Sequence, residues 1–317
     1  MENDNNIYDV IILGGGPSGM NAAIYAVRSG LKTVIVEKAA YGGQIVDTYE
    51  VSNYLGFENI NGYELAEKMR KQVKNLGSEI LSDNPTDIDV ESKIKTVKTS
   101  TGKLLKSKSI ILSMGAASRK LGLKREDELS GKGVSYCAIC DGAFFKGRDV
   151  AVVGGGNTAL EDLLYLSKVA NKVYLIHRRD KFRADQVTVN DLENKLKSKD
   201  NNIELVLDSE VVDLKGDQLL EGVSVYNKKD KSTKEIAING LFVAIGRTPN
   251  TDMIKDKIDL TDDGYIKSND KMETNVPGVF VAGDIREKEV RQIITAASDG
   301  AIAATYLNNY LRQNFDE

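Results

Sequence analysis

Residues 9–38 read DVIILGGGPSGMNAAIYAVRSGLKTVIVEK, and residues 149–178 read DVAVVGGGNTALEDLLYLSKVANKVYLIHR. The two stretches align without a gap at an offset of 140, and Asp9, Val10, Gly14, Gly15, Gly16, Tyr25 and Lys32 meet identical residues. Such an internal repeat dictates architecture before any local detail does. Each copy opens with an apolar β-branched run, Val10–Leu13 or Val150–Val153, short enough for a buried strand. A glycine turn comes next, then apolar residues at helical spacing: Ala22, Ala23 and Ala26 in the first copy, Leu160, Leu163 and Leu164 in the second. A further apolar run, Val34–Val36 or Val173–Ile176, completes a βαβ unit.

The glycines stand at Gly14, Gly16 and Gly19 in the first copy, and at Gly154 and Gly156 with Ala159 third in the second. A lone G-x-G-x-x-G motif is weak, because glycine turns are common. Here strand, helix and second strand frame it twice. Glycines at these places let the backbone turn tightly and approach a pyrophosphate, whose charge then lies at the positive end of the helix. Two dinucleotide sites are expected.

The residues at the end of each second strand tell the two sites apart. The first strand ends at Glu37, whose carboxylate suits ribose hydroxyls and repels a phosphate on that ribose. The second copy has His177 there, with Arg178, Arg179 and Arg183 after it. Guanidinium groups at a strand end hold a 2′-phosphate through forked, charge-assisted hydrogen bonds. A charge run such as HRRDKFR is ordinarily just a solvated face, but its register with Glu37 argues otherwise. His177 is expected beside that phosphate with no catalytic role. Site one should take an adenine dinucleotide lacking a 2′-phosphate, and site two NADP(H).

Site one needs more strands. The runs Ser109–Leu112 and Gly278–Val281 each close in a glycine turn, at Gly115 and Gly283, and suit the same sheet. Another run, Leu241–Ile245, ends in Gly246. The expected fold class is α/β, with two Rossmann-like (three-layer ββα) dinucleotide-binding domains, the second inserted into the first. Residues 1–117 and 249–317 would form the discontinuous domain and 118–248 the insertion, with hinges near Gly115 and Gly246. Val290–Leu311 has helical periodicity. Asp284 reads equally as a ligand of a ribityl hydroxyl or pyrophosphate-bound magnesium and as a simple turn aspartate. Four prolines and no low-complexity segment leave no obvious flexible linker.

Both cysteines lie in Cys137-Ala138-Ile139-Cys140, with Asp141 next. Two intervening residues let neighbouring thiols close a small, reducible ring. Zinc, the main rival, normally wants four Cys or His ligands, and the chain has two Cys and one distant His. A redox-active disulfide is preferred. The apolar lead Gly133–Tyr136 and the adjoining Asp141 suit a helix start, where the dipole favours a thiolate. Asp141 is placed to exchange a proton with the leaving thiolate, or else is a plain aspartate of a helix amino end. A hydride donor and a disulfide need a two-electron relay, which a flavin in site one supplies.

Length and charge set the outer limits. At 317 residues the chain suits about two domains. Its formal charge, 43 − 47 = −4, argues against nucleic acid or an anionic membrane as principal partner. No apolar run approaches the roughly 20 residues that cross a bilayer. The polar, acidic stretch Met1–Asp9 does not read as a signal peptide, and two cysteines exclude a disulfide-stapled secreted scaffold. A soluble cytoplasmic protein is expected.

These motifs together resemble the low-molecular-weight thioredoxin reductases over nearly the whole chain. The matching segments are GGGPSG at 14–19, CAICDG at 137–142, GGGNTA at 154–159, HRRDKFRA at 177–184, GVFVAGD at 278–284 and RQIITA at 291–296. The resemblance implies FAD held by Gly14, Gly16, Gly19, Glu37, Gln44, Asn53, Asp284, Arg291 and Gln292. It implies NADPH held by Gly154, Gly156, Asn157, Thr158, Arg178, Arg179 and Arg183. It makes Cys137 and Cys140 the active disulfide and Asp141 the proton donor, in a homodimer whose substrate is thioredoxin. It also implies an inserted domain that swivels near Gly115 and Gly246, because the disulfide and the NADPH site ride on that domain and both must reach the flavin. Met114 replaces a threonine common in that family, and Arg247 stands where some members carry histidine. The rivals are a reductase of another thioredoxin-like or glutaredoxin-like protein, a ferredoxin-dependent or dithiol-oxidase enzyme on this scaffold, and a non-catalytic nucleotide sensor.

Overall fold

Val10 to Leu13 are wholly buried, as a strand covered on both faces requires. They belong to β1 (Ile7–Leu13), which leads into α1 (Pro17–Arg28) and then β2 (Thr33–Glu37), parallel to β1 with Val10 opposite Thr33 and Leu13 opposite Val36. The computed structural model describes residues 7–38, 41–48 and 51–315, so most of the Met1–Asp9 stretch read for a leader lies outside it.

Next comes α2 (Gly62–Asn75), whose amino end is capped by the Asn61 side chain accepting from the Tyr63 and Glu64 amides. β3 (Glu79–Ser82) extends the parallel sheet beside β2. An antiparallel meander comes after it, β4 (Pro85–Asp89), β5 (Lys95–Thr99) and β6 (Leu104–Leu112). The first half of β6 pairs with β5, while its apolar second half lies parallel to β1. The Ser109–Leu112 run is thus the inner end of a longer strand. β7 (Ala116–Ser118) then leads away.

The second unit opens with β8 (Val134–Ser135) and the single turn α3 (Ala138–Asp141). The second copy of the repeat supplies β9 (Asp149–Val153), α4 (Asn157–Leu166) and β10 (Lys172–Ile176). After α5 (Gln186–Lys197), β11 (Ile203–Val206) joins β10 in parallel. Three antiparallel strands, β12 (Ser209–Lys215), β13 (Gly222–Asn227) and β14 (Thr233–Ala237), precede β15 (Gly240–Val243), which inserts between β9 and β8. β16 (Arg247–Pro249) returns the chain and pairs with β7. β17 (Val279–Val281) then lies parallel to β6, and α6 (Ile293–Phe315) ends the fold.

The chain divides into two compact units: residues up to Ala117 with those from Thr248 onward, and Ser118–Arg247. In the first, alternate residues of the central strands feed two cores. Val10, Ile12, Ile35, Ile111 and Phe280 pack on α1 and α6, and Ile11, Leu13, Val34, Val36, Ile110 and Leu112 pack on the far side with Ile88 and Val97 of the meander. The second unit repeats this plan. Val150, Val152, Val173 and Leu175 face α4, while Ala151, Val153 and Ile176 face β12 and β13. Both are the sheet, helix and antiparallel layers expected.

Two boundaries differ from the sequence reading. The run Leu241–Ile245 leaves the sheet after Val243, and the carbonyl of the next residue, Ala244, lies beside Gly154. The last helix starts at Ile293 rather than Val290, since the Thr295 hydroxyl accepts the Gln292 amide at 3.1 Å in a side-chain turn ahead of the helix. Gly115 and Gly246 both take positive φ, 67° and 106°, where the chain crosses out of and back into the first unit.

Candidate active site

The glycine loop of the first unit is built for close approach. Gly14 has φ +105°, and a Cβ there would collide with the Ser113 carbonyl; one on Gly19 would collide with the carbonyl of Gly14. Ser113 locks the loop, its hydroxyl donating to the Leu13 and Gly14 carbonyls at 2.8 and 3.0 Å. Gly16, at the amino end of α1, would carry its Cβ into open space. Tight backbone on one side and open room on the other is what a pyrophosphate requires at a helix amino terminus. Glu37 ends β2 buried, its Oε2 accepting the Gly15 amide at 2.6 Å, so the carboxylate sits on the glycine loop.

Of the other predicted residues of this unit, Asn53 and Gln292 meet directly. Asn53 Nδ2 donates to Gln292 Oε1 at 3.1 Å, and Gln44 Nε2 donates to the Ala116 carbonyl. Arg291 lies beyond the loop after β17; its guanidinium stacks 4.4 Å from the Tyr265 ring centroid, and its Nε is buried without a hydrogen-bond partner. Asp284 is next to Gly283, whose amide is held at 3.0 Å by Asp299 Oδ2. Lys288 Nζ contacts that same oxygen at 2.8 Å, and Arg286 approaches the other at 3.7 Å. Sequence reading missed Asp299 and Lys288, whose importance comes only from burial and from α6 folding back beside Gly283.

The second loop copies the first. Gly154 has φ +155°, and a Cβ there would strike the Ala244 carbonyl, as one on Gly14 strikes Ser113. Gly156 again faces open space. A Cβ on Gly155 would strike the His177 ring, so this imidazole packs on the loop where Glu37 does in the first copy. His177 is buried, with Nε2 3.1 Å from the Lys181 carbonyl; burial pulls its titration down, and Arg178, Arg179 and Arg183 add to the effect. These three arginines are exposed, and none forms an ion pair among the described residues. Asn157 is exposed but tied to Asp185, accepting its amide at 2.8 Å and donating to its Oδ2 at 2.7 Å. Asn157 therefore braces the start of α5 against the loop. Thr158 is exposed at the amino end of α4.

Cys137 and Cys140 are joined in a disulfide, with Cα atoms 5.3 Å apart. Cys137 caps α3, its Sγ accepting the Cys140 amide at 3.3 Å. The helix start is there as expected, but it is one turn passing into a 3-10 turn at Gly142–Phe145, so only a local N–H dipole faces the sulfurs. Asp141 closes this turn rather than opening it, and its carboxylate accepts the Ser135 hydroxyl at 2.6 Å. Burial raises the Asp141 titration, opposed by that hydrogen bond. Both cysteines remain partly exposed, and Ile139 between them is 57 % exposed. A disulfide at the surface can meet a second disulfide.

A twofold glycine cradle with a short disulfide loop on the second unit is matched by a protein family. The pyridine nucleotide-disulphide oxidoreductase model aligns with residues 8–300. The chain belongs to that family. Within it, the chain stands with the bacterial-type thioredoxin reductases. It is 44 % identical to the thioredoxin reductase of Peptoclostridium acidaminophilum, over 98 % of this chain and 99 % of the other. Identity to the Listeria monocytogenes thioredoxin reductase is 41 %, over 99 % and 97 %. The crystal structure of thioredoxin reductase from Streptococcus pyogenes superposes with a TM-score of 0.90 at 38 % identity, covering 98 % of this chain and all of the other. The chain is accordingly an oxidoreductase of the flavoprotein disulfide reductase kind, and the resemblance first read from six short segments holds along its full length.

Proposed function

We propose that this protein transfers electrons from NADPH, through FAD, to its Cys137–Cys140 disulfide and from there to the disulfide of thioredoxin. The observation that carries the reading is a closed, partly exposed disulfide on the same unit as a glycine cradle rimmed by Arg178, Arg179 and Arg183. The first unit, residues 1–117 and 248–317, is the FAD-binding domain, and 118–247 is the NADPH-binding domain, one residue from the boundary read in the sequence.

The residues present fit both cofactors. In the first unit Gly16 opens onto free space beside a helix amino end, and Arg291 Nε is buried with its hydrogen unused. Gly14, Gly16 and Gly19 would admit the FAD pyrophosphate and Glu37 would take the ribose hydroxyls, with Asp284 beside the pyrophosphate. Asn53, Gln292, Gln44 and Arg291 would contact the remaining polar edges. In the second unit Gly154 and Gly156 would admit the NADPH pyrophosphate, with Thr158 and Asn157 at the same helix amino end, and the three arginines would neutralise the 2′-phosphate. When bound, the flavin supplies the conversion between hydride and thiol chemistry.

The chain's own part is then acid–base and positional. Reduction of the disulfide leaves two sulfurs that must share protons, and Asp141, with its titration raised by burial, supplies one. In the forward exchange a thiolate attacks the partner's disulfide, forming a mixed disulfide that the second thiol resolves. The N–H groups of the α3 turn favour the thiolate form. The relatives' activity supports thioredoxin as partner, and the exposed Ile139 offers it an apolar foothold. We place the enzyme in the cytoplasm as a homodimer; no helix among the described residues is long and apolar enough to cross a membrane.

Anaerobic mixing with NADPH tests the reading. The bound flavin should bleach rapidly, and added thioredoxin should restore its colour while gaining thiols. A protein that purifies without flavin, or whose flavin accepts electrons only from ferredoxin, would overturn it.

A further inference from the structure

We infer that Ser135 is a positioning residue for thiol exchange, its hydroxyl holding the Asp141 carboxyl in place for proton transfer with the Cys137–Cys140 pair. The inference rests on the disulfide-reductase reading above.

Ser135 ends β8, where it pairs with Phe242 of β15, and it is 5 % exposed. Its hydroxyl has one proton to give and two lone pairs to receive with. The proton goes to Asp141 Oδ2 at 2.6 Å, the short distance of a bond to a carboxylate, with the Cys137 carbonyl a longer second acceptor at 3.4 Å. A lone pair receives the Cys137 amide at 3.1 Å. One oxygen atom thus ties the acid to the backbone of the first cysteine. The Asp141 amide closes the loop by donating to the Cys137 carbonyl at 3.1 Å. Asp141 is therefore held at both its main chain and its side chain, and both holds end on Cys137 or the serine beside it.

Among the described residues, Ser135 is the hydrogen-bond partner of this carboxyl. The 3-10 turn Gly142–Phe145 has no titratable side chain. The packed helix α4 brings Glu161, Asp162 and Tyr165, and the ring of Tyr165 lies against Gly142. Burial raises the Asp141 titration and the Ser135 bond opposes it, with no charge among the causes. Among the described residues, Ser135 is the polar side chain bonded to the acid.

Electrons and protons balance in both directions. Two electrons entering the Cys137–Cys140 disulfide, supplied through the flavin site proposed above, break the S–S bond and leave two sulfur anions. One takes a proton from the Asp141 carboxyl, which becomes a carboxylate stabilised by the Ser135 O–H. The remaining sulfur anion later attacks the partner's disulfide, forming a mixed disulfide and releasing one partner sulfur anion. The carboxylate then takes its proton back from the thiol, which closes the Cys137–Cys140 bond and releases the second partner sulfur anion, and both partner sulfurs take protons from water. Ser135 favours the carboxylate, and hence the donation of the proton to sulfur.

The test uses the FAD-loaded enzyme in four forms: Ser135→Ala, Ser135→Thr, Asp141→Asn and the Ser135→Ala/Asp141→Asn pair. Two pH profiles are recorded, NADPH-driven thioredoxin reduction and iodoacetamide alkylation of the pre-reduced dithiol; the second is independent of turnover. The inflection lost in Asp141→Asn should move to higher pH by about one pH unit in Ser135→Ala, the size of one hydrogen bond to a charged group. Ser135→Thr keeps a hydroxyl and should restore the parental inflection, which also separates loss of the bond from loss of folding. In the paired variant the displacement should vanish. If Ser135→Ala instead lowers the rate by one factor at every pH, or the displacement survives without Asp141, the inference is wrong. If Asp141→Asn itself changes neither profile, the proton-donor assignment falls first.

Discussion

Replacing both Arg178 and Arg179 with alanine isolates the coenzyme phosphate from everything else. Both guanidinium groups are exposed and make no ion pair within the described residues, so the folded state loses little with them. Their backbone is held independently, since the carbonyl of Arg179 receives the Asp208 amide at 3.3 Å. A hydrogen bond to a charged group contributes about 1.5–3 kcal/mol, and exposure argues for the lower end. Two such bonds come to about 3 kcal/mol, which is roughly 150-fold in kcat/KM at 1.36 kcal/mol per decade. Because the 2′-phosphate is present before and during hydride transfer, the loss should fall on KM rather than kcat. Stopped-flow bleaching of the flavin by NADPH and by NADH, in parent and variant, gives the ratio directly. NADH should be used almost equally well by both proteins, and the melting temperature should stay within a degree or two of the parent's, as expected for surface substitutions of about 0.5 kcal/mol or less. Added salt should weaken NADPH binding in the parent more than in the variant. An unchanged NADPH/NADH ratio would refute the assignment of the arginines.

Cys137→Ser and Cys140→Ser should each leave the flavin reducible by NADPH yet abolish thioredoxin reduction; parental turnover in either would remove the disulfide from the pathway. Burial lowers the His177 titration, so the unfolded chain binds a proton from about pH 6.5 downward before the folded one does. This costs stability as pH falls through that window and nothing above it. Urea melts should therefore show a steeper acid loss for the parent than for His177→Asn, and parallel curves would contradict the cause given. Because the inserted unit carries both its glycine cradle and its disulfide, it should turn near Gly115 and Gly246 to present each in sequence. A covalent tether between the units, placed away from both sites, should slow thioredoxin reduction severely, and an unaffected rate would exclude the motion.

The parts legible in the sequence were those where one physical demand leaves few residues to choose from. A pyrophosphate-ready turn admits only glycine where φ is positive or a carbonyl lies within contact, and Gly14, Gly19 and Gly154 all meet that demand. Strands covered on both faces must be apolar throughout, which made Val10–Leu13 and Val150–Val153 readable without neighbours. Less legible were the positions whose meaning arises from folding. Nothing about Ser135, Asp299 or Lys288 stands out along the chain; they matter because β8 ends beside α3 and because α6 returns beneath Gly283. Helix ends were misplaced for the same reason: the Thr295 side chain, not periodicity, decides where α6 begins.

The repeat sets one loop plan behind two different rims. Loop geometry is common to both copies, down to the carbonyl that each first glycine meets, Ser113 in one and Ala244 in the other. Divergence is concentrated just past the second strand, where a side chain packs on the middle glycine. In the first copy that side chain is Glu37, whose oxygen accepts the Gly15 amide and leaves a negative charge at the rim. In the second it is His177, whose titration burial pulls down, with three exposed cations after it. A carboxylate at that rim repels a phosphate, while a ring backed by arginines attracts one. On the function proposed above, charge at a single strand end would sort the two dinucleotides, and the shared loop behind it would have no need to differ.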